Sequence, residues 1–160
     1  MSIQNKKTLE AYQKVAKNYL ASTKLVNSTY QENAIRAKKE LQDFIKEAFK
    51  EIPKGSKILE VGSADGENAK YIQELGFDVT ASDVADDFLN TIKENGLNLI
   101  KFNILTDDFK DMYYAIFCWR VFVHFTKKDS LTALKKKRSY NKWFSTNTIN
   151  CESTMILDRR

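Results

Sequence analysis

The chain is short of several residue types, and each shortage excludes something. It has one proline, Pro53, and five glycines, none of them beyond Gly96. An α/β domain that kept alternating strands and helices to its end would need more turn residues than the last third supplies. Its two cysteines, Cys118 and Cys151, fall at no metal-ligand or redox spacing, so a reducing, cytoplasmic setting is expected. No cluster of metal-ligating residues stands out, and no metal is expected. No stretch approaches the ~20 apolar residues of a membrane span. The start, "MSIQNKKTLEAYQ", lacks the apolar core of a secretory signal.

What is present describes one globular domain: 160 residues, 42% hydrophobic and 29% charged. The net charge of +5 is unevenly spread. Residues 1–54 hold 11 basic and 6 acidic side chains, residues 55–100 hold 3 and 9, and residues 101–160 hold 12 and 6. A nucleic-acid reader would concentrate its basic residues on one surface among aromatics. The one dense basic run, "KKKR" at 135–138, reads as a solvated helix end, so nucleic acid is not the expected partner.

Apolar spacing divides the chain. Leu9, Tyr12, Ala16 and Tyr19 recur at helical intervals, and Ala34, Ala37, Leu41, Phe44, Ala48 and Ile52 continue that period in a longer second helix. Pro53 and Gly55 stop it. Short strands and single helices then alternate: a strand at 57–61, a helix at 68–75, a strand at 77–82, a helix at 86–95, a strand at 97–104, and a fourth strand beginning at Tyr113 in "YYAIFCWRVFV". Thr126 and Asp129 form a capping box for another helix. This order predicts an α/β fold, a Rossmann-like three-layer sandwich around a mostly parallel sheet, preceded by N-terminal helices. Three segments follow: a helical lid or cap at 1–54, a cofactor-binding core at 55–137, and an aperiodic, irregular tail at 138–160.

The loop after the first strand decides the ligand class. It reads Gly62-Ser63-Ala64-Asp65-Gly66, which fails the G-x-G-x-x-G spacing of a dinucleotide cradle. Glu60, Asp65 and Glu67 crowd it, and three carboxylates would repel a pyrophosphate. They suit a ligand carrying an ammonium and a sulfonium.

Glu60-x-Gly62-x-Ala64-x-Gly66 resembles the first motif of class I S-adenosylmethionine-dependent methyltransferases of the small-molecule type. "VTASD" ends the second strand with Asp83, 21 residues after Gly62, where that family places an acid on the ribose hydroxyls. "FNILTDDF" resembles the third-strand segment that meets the adenine, "YYAIFCWRVFVHF" the fourth-strand motif, and "AYQKVAKNY" the helix that lies over the bound cofactor. The resemblance implies S-adenosyl-L-methionine as cofactor and a small-molecule acceptor. It implies a binding set of Glu60, Gly62, Ser63, Ala64, Gly66, Asp83, Val84, Asn103, Ile104, Tyr12 and Tyr19. Ala64 stands where the middle glycine is commoner, which a negative φ would allow. Tyr114 stands where the family usually has an aspartate. His124 matches a family histidine that is usually structural, Cys118 and Trp119 read as core or pocket wall, and no residue is assigned to catalysis. The family sheet has seven strands, whereas the pattern here stops after four or five. The expectation is therefore a sheet with its C-terminal strands largely missing, from a truncated or frame-shifted gene in the limiting case.

Overall fold

The structure, a computed structural model, describes residues 2–22, 28–140, 145–150 and 153–157. Two helices come first, α1 (Ile3–Ser22) and α2 (Ser28–Phe49). The alternating part follows as β1 (Lys57–Val61), α3 (Glu67–Glu74), β2 (Asp78–Asp83), α4 (Asp86–Glu94), β3 (Asn98–Lys101) and β4 (Ala115–Trp119). A 3₁₀ turn (Phe122–His124), α5 (Lys127–Tyr140), β5 (Ser145–Asn150) and β6 (Ser153–Leu157) complete it. The sheet order is β3-β2-β1-β4-β6-β5, with the first four strands parallel. This is the expected Rossmann-like α/β fold with N-terminal helices.

β1 lies at the centre of the parallel part, and every residue of it except Lys57 is buried. A parallel strand covered on both faces needs that continuous apolar run. Alternate residues serve opposite layers. Ile58 packs with Ile45, Phe49, Val79 and Phe117, while Leu59 and Val61 pack with Ile104, Ile116 and Cys118. α2 closes the first layer. Its Phe49 ring lies 5.3 Å from Phe77 and 6.0 Å from Phe117, so the helix is docked by its last turns, and residues 32–40 remain exposed. Half of the expected capping box forms: Thr126 Oγ1 accepts the Asp129 N–H at 3.2 Å, while Asp129 Oδ2 accepts from the Thr126 hydroxyl at 3.1 Å in place of the Thr126 N–H.

Two strands are shorter than their apolar runs. β3 ends at Lys101 because Asn103 folds the chain back, its Oδ1 accepting the Leu105 N–H at 3.0 Å. β4 ends at Trp119 because Arg120 takes φ 55°, which turns the backbone out of the sheet. The stretch from 138, aperiodic in sequence, holds the end of α5 and an antiparallel pair. β6 runs against β4 in the register Phe117↔Met155, and β5 runs against β6. Four parallel strands plus this pair make six, one fewer than seven, and the pair adjoins β4 directly. No helix among the described residues is long and apolar enough to cross a membrane.

Candidate functional site

β1 is followed by β2 on one side and flanked by β4 on the other, so the loops leaving their carboxyl ends diverge and leave a crevice. A cavity of about 500 Å³ occupies it. Gly62, Ser63, Ala64 and Asp65 form its floor after β1, and Asp83, Val84 and Phe88 follow β2. Phe102, Asn103 and Ile104 come from the end of β3, and Trp119 through Phe125 supply the wall after β4. α1 lies across it with Asn5, Thr8, Leu9 and Tyr12.

The floor is built by backbone. Gly62 and Ser63 both donate their N–H groups to the Ser82 carbonyl, at 2.8 and 2.9 Å. Ser63 Oγ accepts the Ser82 N–H at 3.0 Å, which ties the loop to β2 a second time. Gly62 has φ 75°, and a Cβ there would stand 2.6 Å from Val121 Cγ2, so both backbone and space demand glycine. Gly66 has φ 80°, and its missing Cβ would meet Leu97 Cδ1 at 2.8 Å. Gly66 therefore packs the loop onto the layer below and does not line the cavity.

Ala64 departs from expectation: its φ is +47°, left-handed and not negative. An L-residue there carries strain of ~1–2 kcal/mol, and glycine would recover it less the ~0.4–1 kcal/mol of its greater freedom when unfolded. Ala64→Gly should therefore raise the melting temperature by the equivalent of about 0.5 kcal/mol. A lower melting temperature would show that the loop gains more from the alanine methyl than it loses in strain.

Asp83 is 6% exposed and stitches three backbone segments together. Its Oδ1 accepts the Val84 and Ala85 N–H groups at 2.7 and 3.0 Å, and its Oδ2 accepts the Ala64 N–H at 3.1 Å. Burial raises its pKa above the ordinary aspartate value, and those three N–H donors oppose the rise. Glu60 is 1% exposed and lies behind the floor, outside the cavity lining. Neither of its oxygens has a hydrogen-bond partner of normal geometry. Desolvation pushes its carboxyl up to about 7, although Ser63, Asn68 and the Ala69 N–H lie near enough to oppose that rise. Glu67 turns away from the loop to pair with Lys38 of α2 at 2.8 Å. The carboxylates that reach the cavity are thus Asp65 and Asp83, one of them unlike the three that the sequence crowds around the loop.

The remaining expected residues divide. Val84 and Ile104 line the cavity. Asn103 lines it as well, but the oxygen that would meet an adenine amine already accepts the Leu105 N–H. Tyr12 lines it and its hydroxyl lies 2.9 Å from His124 Nε2, with the rings edge to face at 5.2 Å. Burial holds Tyr12 protonated by raising its pKa, aided by Asp83, and lowers that of His124. Two neutral groups thus share one hydrogen. The Tyr19 side chain lies outside the described residues. Trp119 is cavity wall and Cys118 is buried core, as expected. Tyr114 precedes β4 and packs on the first layer, with its N–H donated to the Lys57 carbonyl at 2.8 Å.

Sequence reasoning missed Asn5, Thr8, Phe88, Phe102 and Arg120 as cavity residues. The first two were findable, since Asn5, Thr8, Leu9 and Tyr12 share one helical face. Nothing in the sequence distinguishes Phe88 and Phe102 from core aromatics, and nothing in the apolar run marks Arg120 as a corner. No group of His, Cys, Asp and Glu among the described residues is arranged to hold a metal ion.

The family model described as a methyltransferase domain matches residues 30–142. The fold is similar to that of the magnesium protoporphyrin IX methyltransferase ChlM from Synechocystis PCC 6803 with bound SAM. The TM-score is 0.68 at 9% identity, over 98% of this chain and 96% of that one. It is similar also to the DhpI–SAM–HEP complex, with TM-score 0.61 and 15% identity over 99% of this chain and 84% of the other. The amino pentose methyltransferase CalS10 from Micromonospora echinaspora, SAM bound, gives 0.51 and 17% over 77% and 64%. At such identities the likeness is one of fold. No curated protein matches the sequence.

Proposed function

The chain belongs to the methyltransferase domain family, with S-adenosylmethionine as its cofactor, and we propose that it methylates a small-molecule acceptor. The observation that carries this reading is the cavity at the carboxyl ends of β1 and β2, floored by a left-handed glycine turn and edged by Asp65 and Asp83. Its volume, about 500 Å³, falls within the range of small-molecule sites. The residues fit the cofactor. Asp83 would accept a ribose hydroxyl on the lone pair that its backbone bonds leave on Oδ2. Val84 and Ile104 would flank the adenine, with Asn103 at its edge. Gly62 lets the backbone approach the amino-acid end, and Asp65 favours the charge there. Asn68, which lines the cavity and stands near Glu60, would couple that buried carboxyl to the same end.

When bound, S-adenosylmethionine supplies a sulfonium methyl for in-line displacement, a reaction that needs alignment first. The chain's own part is to position the acceptor and exclude water. α1 covers the cavity, with Tyr12 joined to His124 across it. A reducing compartment such as the cytoplasm suits a buried thiol such as that of Cys118.

A second reading, a domain that has lost donor binding and activity, is favoured by one observation. Among the described residues no fifth parallel strand separates β4 from the antiparallel pair. Calorimetric titration of the full chain with S-adenosylhomocysteine decides between the two. Saturable one-to-one binding is expected, and a folded chain that binds none would leave only the second reading.

A further inference from the structure

We propose that Asn5 anchors the methyl acceptor by accepting a hydrogen bond from a hydroxyl or amine on an otherwise apolar small molecule, an inference that rests on the methyl-transfer reading above. Asn5 is 2% exposed and lines the cavity, and its Oδ1 has no hydrogen-bond partner. Among the described residues, the only other buried side-chain atoms in that state are the two oxygens of Glu60, on the glycine-turn side. Buried carbonyl oxygens are nearly always bonded, and each exception calls for a cause.

The cause here is not looseness. Asn5 donates its own N–H to Ser2 Oγ at 3.1 Å, and the Ser2 N–H is held by Asp129 Oδ1 at 3.2 Å. Asp129 belongs to the capping box of α5. The start of α1 is thereby pinned to a second helix, which fixes the backbone of Asn5 at the cavity. An apolar residue would fill this position at less cost if the site were only packing.

The surroundings set the ligand class. Asn5 shares its helical face with Thr8 and Tyr12, and the facing wall is Trp119, Val121, Val123 and Phe125. Asp65 and Asp83 belong to the glycine-turn and β2 side, so this half of the lining has no carboxylate to welcome a cation. Its one guanidinium, that of Arg120, lies 5.9 Å over the Trp119 ring. Tyr12 and His124 are paired with each other. A neutral O–H or N–H on an aromatic or aliphatic frame satisfies Asn5 and fits the wall.

The test uses the full chain saturated with S-adenosylhomocysteine, with phenol and aniline as probes and their methyl-capped counterparts, anisole and N,N-dimethylaniline, as controls. Binding is followed by ligand-observed NMR. Phenol or aniline should bind at least tenfold more tightly than its capped counterpart. Asn5→Leu, similar in shape but without the oxygen, should weaken that binding about tenfold, or about 1.4 kcal/mol. It should keep the affinity for S-adenosylhomocysteine and melt no lower than the wild type. Asn5→Asp, which retains an acceptor oxygen, should keep the probe bound. Absence of probe binding to the wild type, undiminished binding to Asn5→Leu, loss in Asn5→Asp, or a lower melting temperature in Asn5→Leu would each overturn the proposal. Failure of S-adenosylhomocysteine to bind is seen before any probe is added, and it counts against the methyltransferase reading instead.

Discussion

Replacing Asp83 with alanine is expected both to weaken binding of S-adenosylmethionine more than a hundredfold and to lower the melting temperature. The two effects have separate origins in one carboxylate. The proposed ribose contact is a hydrogen bond to a charged acceptor in a mostly buried site, worth ~1.5–3 kcal/mol. Loss of the loop geometry that Asp83 holds adds to it, since Oδ2 fixes Ala64 and Oδ1 fixes the start of α4. Together these bring the expected loss in affinity to ~3 kcal/mol, the upper end of the scale for one charged contact, which is somewhat over a hundredfold in Kd. The stability loss comes from leaving three backbone N–H groups without their acceptor, and ~2–3 kcal/mol is the scale for disrupting such a network. Calorimetric titration and thermal unfolding measure the two parts. Asp83→Asn separates them in part, because it keeps an oxygen for the Val84 and Ala85 donors while its amide nitrogen can accept neither the Ala64 N–H nor a ribose hydroxyl. Unchanged affinity in Asp83→Ala would remove Asp83 from the cofactor site and leave it a turn aspartate alone.

Asp83 also illustrates what was legible in the sequence. Its offset from Gly62 could be counted, and so could the strand at 57–61, because a fully buried parallel strand writes itself as a continuous apolar run. The capping box was equally local. What was hidden depended on conformation or on contacts distant in sequence. The sign of φ at Ala64 and the turn at Arg120 follow from where the loops must go, not from residue type. Asn5 and Thr8 leave no mark in the apolar stripe of α1, because a helix face turned to a cavity carries polar residues there. The pair β5 and β6 is joined by backbone bonds along the edge strand β4, and such pairing leaves no requirement for apolar alternation. Glu67 misled for a related reason: a carboxylate near the loop in sequence is directed by Lys38 to another face.

Glu60 should make the free protein less stable as pH rises, in a window set by its two pKa values. In the fold it is fully buried and its carboxyl is pushed up to about 7 from an ordinary 4.5. The folded state therefore holds the proton more tightly than the unfolded chain does. That contribution to stability is complete below the unfolded value and is lost as pH climbs through the folded one, which places the decline between about 4.5 and 7. The shift corresponds to ~3 kcal/mol. Glu60→Gln cannot titrate, so its denaturation midpoint should lose the part of the slope that Glu60 contributes and keep only what Asp65, Asp83 and His124 add. Above it the variant should exceed the wild type by ~1–3 kcal/mol, the lower figure allowing for an amide that is itself short of partners. In the proposed complex the ammonium of the cofactor, reached through Asn68, would offset that buried charge. Saturating S-adenosylhomocysteine should accordingly restore stability above neutral pH in the wild type and much less in Glu60→Gln. If ligand leaves the wild-type slope unchanged, the buried charge has no link to the cavity, and Asn68 does not couple Glu60 to the ligand.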